Sequence, residues 1–400
     1  MKWGTATALL GIASSLALGP TTPAEAGPPA TSWTADLRHG EASGVVLHGG
    51  VARIDPRTAF VAVAEEAPAD ATAQPTGLLT FPARRLDAAT DRVAVTVTGQ
   101  VPAGATATVD VRGRRGTGGW TEWIPAAPAP DGPAVTLPTA SAEVQARLVL
   151  SGDPGAGPTV REVALAARPA PPGRAESDGR TLAASYRVFA TREGLVGGTT
   201  ANGHVIRARD HFVALPSRRA LAPRGSSDYS VKVCAPTGRC AFAPVWDVGP
   251  WNTRDDYWNP GHQRQQWGDL PQGVPQAQAA HDRGYNGGKD QYNRKVANPA
   301  GIDLADGLFW DALGLKNNAW VQVEYLWTGK ESLARVQAGT DVLAAPDAAA
   351  EVVGFAAGRA SVPVQCVQDR WLRIGRNEYV EAAAVRSPPQ VAACSPPNAP

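Results

Sequence analysis

The sequence is poor in methionine, with a single residue, and in charge, with Asp, Glu, Lys and Arg making up 19%. The two signs almost cancel, leaving a net charge of +1, so nothing points to nucleic acid as a partner. Beyond its first residues the chain has no apolar run near the roughly 20 residues of a membrane-spanning helix. It lacks G-x-S-x-G, H-E-x-x-H and phosphate-loop motifs, which removes the commonest hydrolase, metalloprotease and nucleotide signatures. His204, His211, His262 and His281 are not paired at ligand spacing, and no cysteine pair has zinc-site spacing. No metal or other cofactor is expected. Helical periodicity of convincing length is missing from residues 27–168.

What the chain does have starts at its N-terminus. Lys2 supplies a short positive region, Ala8 to Leu18 an apolar run of 11 residues, and Ala24-Glu25-Ala26 an A-x-A cleavage site. This pattern predicts a secretory signal over residues 1–26. No twin arginine precedes the apolar run and no cysteine follows the site, so neither folded export nor a lipid anchor is expected. The mature protein is expected outside the cytoplasm, soluble and monomeric. There, four cysteines are expected to pair. Cys234 and Cys240 flank Ala235-Pro236-Thr237-Gly238-Arg239, a turn sequence between two strand-like runs, which predicts a bond across that hairpin. Cys366 with Cys394 follows by elimination.

The 42 glycines and 35 prolines occur alongside 43% hydrophobic residues, a mixture that fits short strands and frequent turns. The length predicts two or three domains. In residues 27–168 apolar side chains alternate along Val93, Val95, Val97, along Ala105, Ala107, Val109, Val111, and along Val144, Ala146, Leu148, Leu150. Alternation of this kind gives strands with one apolar face, and predicts a β-sandwich of eight to ten strands. Trp120 and Trp123 are open to two readings there, as core residues or as exposed rings for sugar stacking. Residues 169–182 read as a Pro-rich spacer. Residues 183–328 form a second region, interrupted at 251–300 by a polar, aromatic insertion. A helix is expected to open at Gly301, with Leu304, Leu308, Phe309, Ala312 and Leu313 on one side. Short strands over 331–386 predict a small terminal barrel, followed by a Pro-rich tail at 387–400. The fold class expected is therefore all-β and multidomain.

The second region carries four motifs in order: Thr200-Ala201-Asn202-Gly203, Ala214-Leu215-Pro216, Trp246-Asp247-Val248-Gly249-Pro250 and Ile302-Asp303-Leu304. Together they resemble the double-psi β-barrel of rare lipoprotein A and the expansins, over about 140 residues. Residues 331–386, with Val352-Val353-Gly354 and Trp371-Leu372-Arg373-Ile374-Gly375, resemble a bacterial Src-homology-3-like barrel. The resemblance implies a secreted protein acting on cell-wall glycan or another polysaccharide, as a glycosidase or lytic transglycosylase, or as a non-catalytic expansin-like binder. A secreted binding protein for a protein or peptide ligand is a third reading.

By the same resemblance Asp247 and Asp303 face a polysaccharide groove as the catalytic carboxylates. Glycosidic cleavage needs a proton for the leaving oxygen and usually a second carboxylate. Each also has a structural alternative, Asp303 as a helix N-cap and Asp247 as a turn former. The chain departs from the transglycosylase pattern in two places. Arg207 stands where the relatives carry an acid, and His211 is one residue out of step with their histidine, leaving Asp210 and His211 as substitutes. In the insertion, Trp251, Tyr257, Trp258, Trp267, Tyr285 and Tyr292 lie among polar residues without an apolar period. Such rings either stack on sugars or pin the loop to the barrel. Trp251, Tyr257, Trp258, Trp267 and His211 are the substrate-binding candidates.

Overall fold

A computed structural model describes residues 30–61, 74–116, 118–153, 155–171 and 182–395. The export signal, most of the spacer and the end of the tail lie outside these residues. Strand accounts for 46% of the described residues and helix for 9%, which fits an all-β, multidomain protein. Among the described residues no helix is long and apolar enough to cross a membrane.

The N-terminal unit joins ten strands in one hydrogen-bonded network. Its spine is three long strands, Arg84–Gln100, Ala134–Ser151 and Thr159–Pro169, which pair antiparallel. The alternating side chains turn inward as the sequence requires: Val93, Val111, Leu148 and Leu150 are fully buried, with Val135 and Val163, in one core.

Six strands make the central barrel: Ala184–Glu193, Val213–Leu215, Ser230–Cys234, Cys240–Val248, Ala300–Ala305 and Ala319–Tyr325. Val213–Leu215 pairs antiparallel with Ala300–Ala305 on one side and parallel with Cys240–Val248 on the other, so the ring closes. Ala184–Glu193 runs parallel to Ala300–Ala305. Val188, Val231, Val233, Ile302, Leu304 and Val323 fill the interior with no exposed surface. The Cys234–Cys240 disulfide staples the hairpin that carries two of these strands, with Cα atoms 4.1 Å apart, inside the range a disulfide permits. Cys366–Cys394 is bonded as well, with a Cα separation of 4.9 Å.

The C-terminal unit, from Leu333 to Arg386, is a set of eight short strands. It is not a free appendage, because Val352–Ala356 pairs parallel with Cys240–Phe242 and extends the barrel sheet. Phe242 of the barrel lies in the same apolar cluster as Val336, Val362 and Leu372.

The helix expected from Gly301 does not form there. Ala300–Ala305 is a barrel strand, followed by a wide helical turn at Gly307–Ala312 that the Leu313 N–H closes on the Leu308 carbonyl. Leu304, Leu308, Phe309, Ala312 and Leu313 are all buried as anticipated, but a strand and a turn bury them. Asp303 is therefore not an N-cap. The α-helix among the described residues is Gln276–Arg283, inside the insertion.

The N-terminal unit is bolted to the barrel. Trp123 is fully buried within the barrel's own core and donates its indole N–H to the Leu221 carbonyl at 3.1 Å. This excludes its reading as an exposed sugar platform, and Trp120, 8% exposed, is likewise packed. Beside them the Glu122 carboxylate accepts the indole N–H groups of Trp258 at 2.6 Å and Trp327 at 2.9 Å, and the Asn259 amide at 2.7 Å. Arg219 balances its charge from 3.2 Å. A buried carboxylate is tolerated here because three donors and a cation surround it.

The same logic folds the insertion. Asp255 meets Arg264, and Asp290 meets Arg294, all four nearly inaccessible to solvent. Asn252 donates to Gln276 at 2.7 Å and accepts from the Gln291 N–H at 2.9 Å. A polar interior of this kind leaves no apolar period in the sequence. Tyr257 and Trp258 are accordingly core residues, at 0% and 1% exposure, packed on Tyr325 and Trp327. They are removed from the substrate-binding candidates. Trp258→Ala is expected to destabilise the protein by about 3–5 kcal/mol, read as a lowered urea midpoint followed by tryptophan fluorescence.

Candidate functional site

The strand register draws the acidic residues into one row across the outside of the barrel. Ala214 lies opposite Asp247 on one side and opposite Asp303 on the other. Asp303 in turn lies opposite Thr191, and Glu193 follows two residues later on the same face. Side chains two apart on a strand share a face, so Val188 and Ala190 enter the core while Thr191 and Glu193 point to the cleft. The small side chain of Ala214 sets the floor between the two aspartates.

The cleft encloses about 710 Å³, part of it open to solvent. Glu193, Asp247 and Asp303 line it together with Thr199, Asn298 and Asn318. Trp251 closes the base. It is 1% exposed and holds Asn298 through its indole N–H at 3.0 Å. Phe60 and Val61 come from the N-terminal unit and form part of the wall.

Each carboxylate is held differently. Asp247 accepts the backbone N–H groups of Ala201 and Val248 on one oxygen, both at 2.8 Å. The first of these explains the Thr200-Ala201-Asn202-Gly203 turn. Thr200 donates to the Asn202 side chain at 2.8 Å, and Asn202 donates to the Ala222 carbonyl at 3.1 Å, which fixes the turn against the barrel. Gly203 ends it at φ +86°, and a Cβ there would stand 3.0 Å from Ser43 of the N-terminal unit. Asp303 accepts a short hydrogen bond from the Thr191 hydroxyl.

Glu193 is the residue that sequence reasoning missed. Burial raises its pKa well above the usual carboxyl value, and the neighbouring Asp247, Asp303 and Asp306 push it further in the same direction. The shift favours the protonated form of Glu193, which donates to Asp247, and its Oε2 is buried without a partner among the described residues. Burial raises Asp247 too, while the bonds from Glu193, Ala201 and Val248 favour its ionised form. Arg192 takes Asp306 at 2.8 Å at the margin. A neutral acid beside an ionised carboxylate can deliver a proton and stabilise a developing positive charge. Among the described residues no group of three or more His, Cys, Asp or Glu is arranged to hold a metal.

The remaining candidates lie elsewhere. His211 packs on Phe355 at 4.8 Å between ring centres, and burial lowers its pKa. Asp210 turns to His204 at 2.6 Å and to the Arg207 N–H at 2.7 Å. Neither Asp210 nor His211 lines the cleft, so neither replaces the acid and histidine of the transglycosylase pattern from which this chain departs. Trp267 stacks edge-on with Tyr285 at 5.7 Å and is also away from it. Of the sequence candidates, Asp247, Asp303 and Trp251 meet at one site. A local signal for Glu193 does exist, since Val188, Ala190 and the opposed Thr191, Glu193 alternate along one strand.

A family model described as a domain of unknown function, DUF8814, matches residues 184–324, the barrel with its insertion. No curated protein matches the chain. Among solved structures, a truncated AlyQ with CBM32 and alginate lyase domains aligns over 74% of this chain and 97% of that one. Its identity is 10% and its TM-score 0.18, which carries no inference about fold.

The raised pKa of Glu193 has a consequence for stability. A folded pKa above the unfolded value means that the contribution is complete below about pH 4.5 and is lost as pH rises towards the folded pKa. Asp255, pushed up to about 6 by burial, adds a slope of the same sign. Glu193→Gln keeps a donor for Asp247 and removes only the first contribution. Melting temperatures measured from pH 5 to pH 8 are expected to fall more steeply for the wild type than for Glu193→Gln.

Proposed function

We propose that the acidic cleft is a glycan-cleaving site on an exported, wall-acting protein. The observation that carries this reading is the meeting of Glu193, whose pKa burial and its acidic neighbours raise, with Asp247 and Asp303 in one solvent-connected cleft. Glu193 gives its proton to the glycosidic oxygen as the bond to the anomeric carbon breaks. Asp303, held by Thr191, faces the positive charge that develops there. Water, or a hydroxyl of the sugar itself, then completes the anomeric carbon and leaves its proton on an ionised carboxylate. Asp247 keeps the Glu193 proton in place between turnovers.

Three features support a barrel of the double-psi kind. The ring has six strands, it contains two parallel pairings, and three of the four ordered motifs contribute directly to the cleft. The C-terminal unit is read as Src-homology-3-like on its pattern of short strands. Two disulfides suit an oxidising compartment, in line with the export signal.

Purified protein is expected to release soluble products from sacculi or from cellulose. Glu193→Gln and Asp303→Asn are expected to lower that release by about 10²- to 10⁴-fold, with folding retained by circular dichroism. Retention of the wild type on these polymers without any release would replace cleavage by the binding reading.

A further inference from the structure

A second groove runs where the three units meet, away from the acid cleft. Its walls include Arg114 and Arg115 of the N-terminal unit, Asp228 and Trp327 of the barrel, and Arg335 and Arg386 of the C-terminal unit. The groove encompasses about 1110 Å³ open to solvent, more than the acid cleft. With Lys330 and Glu331 also present, five cations face two carboxylates. Asp228 is already engaged, 2.8 Å from Arg112. Arg115 donates to the Trp327 carbonyl at 2.7 Å. Arg114, Lys330, Arg335 and Arg386 form no ion pair among the described residues.

Two of these cations are placed against electrostatic preference. Arg335 and Arg386 are directly opposite one another where Leu333–Val336 pairs with Val385–Arg386. Like charges at such a position destabilise a sheet. Burial, Arg359 and Arg386 together pull the Arg335 guanidinium below its usual pKa, and Asp228 offsets only part of that shift. Arg114 meanwhile sits over the Trp120 ring, with Cζ 5.2 Å from the ring centre, a cation–π contact that orders its guanidinium at the groove wall. Unpaired, ordered guanidinium groups in a concave site are complementary to an external anion.

We propose that this groove binds a polyanionic polymer, a chain bearing a phosphodiester or a carboxylate at each repeat, through Arg114, Arg335 and Arg386. The site exists only when all three units are docked, since each contributes a wall. None of these three arginines lines the acid cleft, so failure here leaves the cleavage reading standing, and failure of cleavage leaves this one.

The test uses the full chain at low salt on three immobilised probes: polygalacturonate, poly(glycerol phosphate) and neutral dextran. The wild type is expected to be retained on one or both polyanions, to elute with added NaCl, and to pass through dextran. The polymer that retains it more strongly identifies carboxylate or phosphodiester as the preferred anion. The double variant Arg335→Gln/Arg386→Gln is expected to lose about 30-fold in affinity while its melting temperature holds or rises, because the repulsion is relieved. Arg85→Gln/Arg161→Gln, which removes two exposed arginines outside the groove, is expected to bind as the wild type does. Passage of the wild type through both polyanions overturns the proposal. So does undiminished binding by the groove variant, or an equal loss in the control variant.

Discussion

The closure of the central barrel by Val213–Leu215 is the constraint on which the site depends. Three residues pair with two strands at once, one running parallel and one antiparallel. That double pairing fixes the separation of Asp247 and Asp303, because Ala214 stands opposite both. It also sets the depth of the cleft, since a larger side chain than alanine would fill the space between the carboxylates. The acids are thus placed by backbone hydrogen bonds, the least adjustable part of the molecule, and only their protonation is left to the local environment.

That environment is shaped by two layers of support. The Thr200–Gly203 turn presents an N–H to Asp247, and Thr191 presents a hydroxyl to Asp303. Glu193 has no comparable set of donors. Its burial among three other acids raises its pKa and favours the neutral form. The contrast illustrates how burial and hydrogen bonding can push carboxyl groups on neighbouring strands towards different protonation states.

Much of this was legible in the sequence. Alternation gave the N-terminal strands, the Cys234–Cys240 turn gave its disulfide, and the ordered motifs gave Asp247 and Asp303. What the sequence obscured was long-range. The Leu304, Leu308, Phe309, Ala312 spacing satisfies a helix face, but it satisfies a strand followed by a turn equally well, and barrel closure selects the latter. For Tyr257 and Trp258 the polar neighbours left two readings open, sugar stacking or pinning of the loop to the barrel. Those neighbours pair with each other, and the Trp258 indole finds its acceptor, Glu122, in a different unit. Glu193 escaped notice because its unusual state comes from carboxylates on strands distant in the chain.

Trp123 and Phe60 give the architecture an evolutionary implication. A side chain of the N-terminal unit completes the core of the barrel, and another completes the wall of its cleft. Domain shuffling trades modules whose surfaces are whole on their own, and this barrel's surface is not. Recombination that gave it a new upstream partner would open a hole in its interior and strip one bank from its cleft. The units are thus expected to descend together as a single heritable block, with the barrel's N-terminal neighbour diverging only as fast as the slot for Trp123 allows.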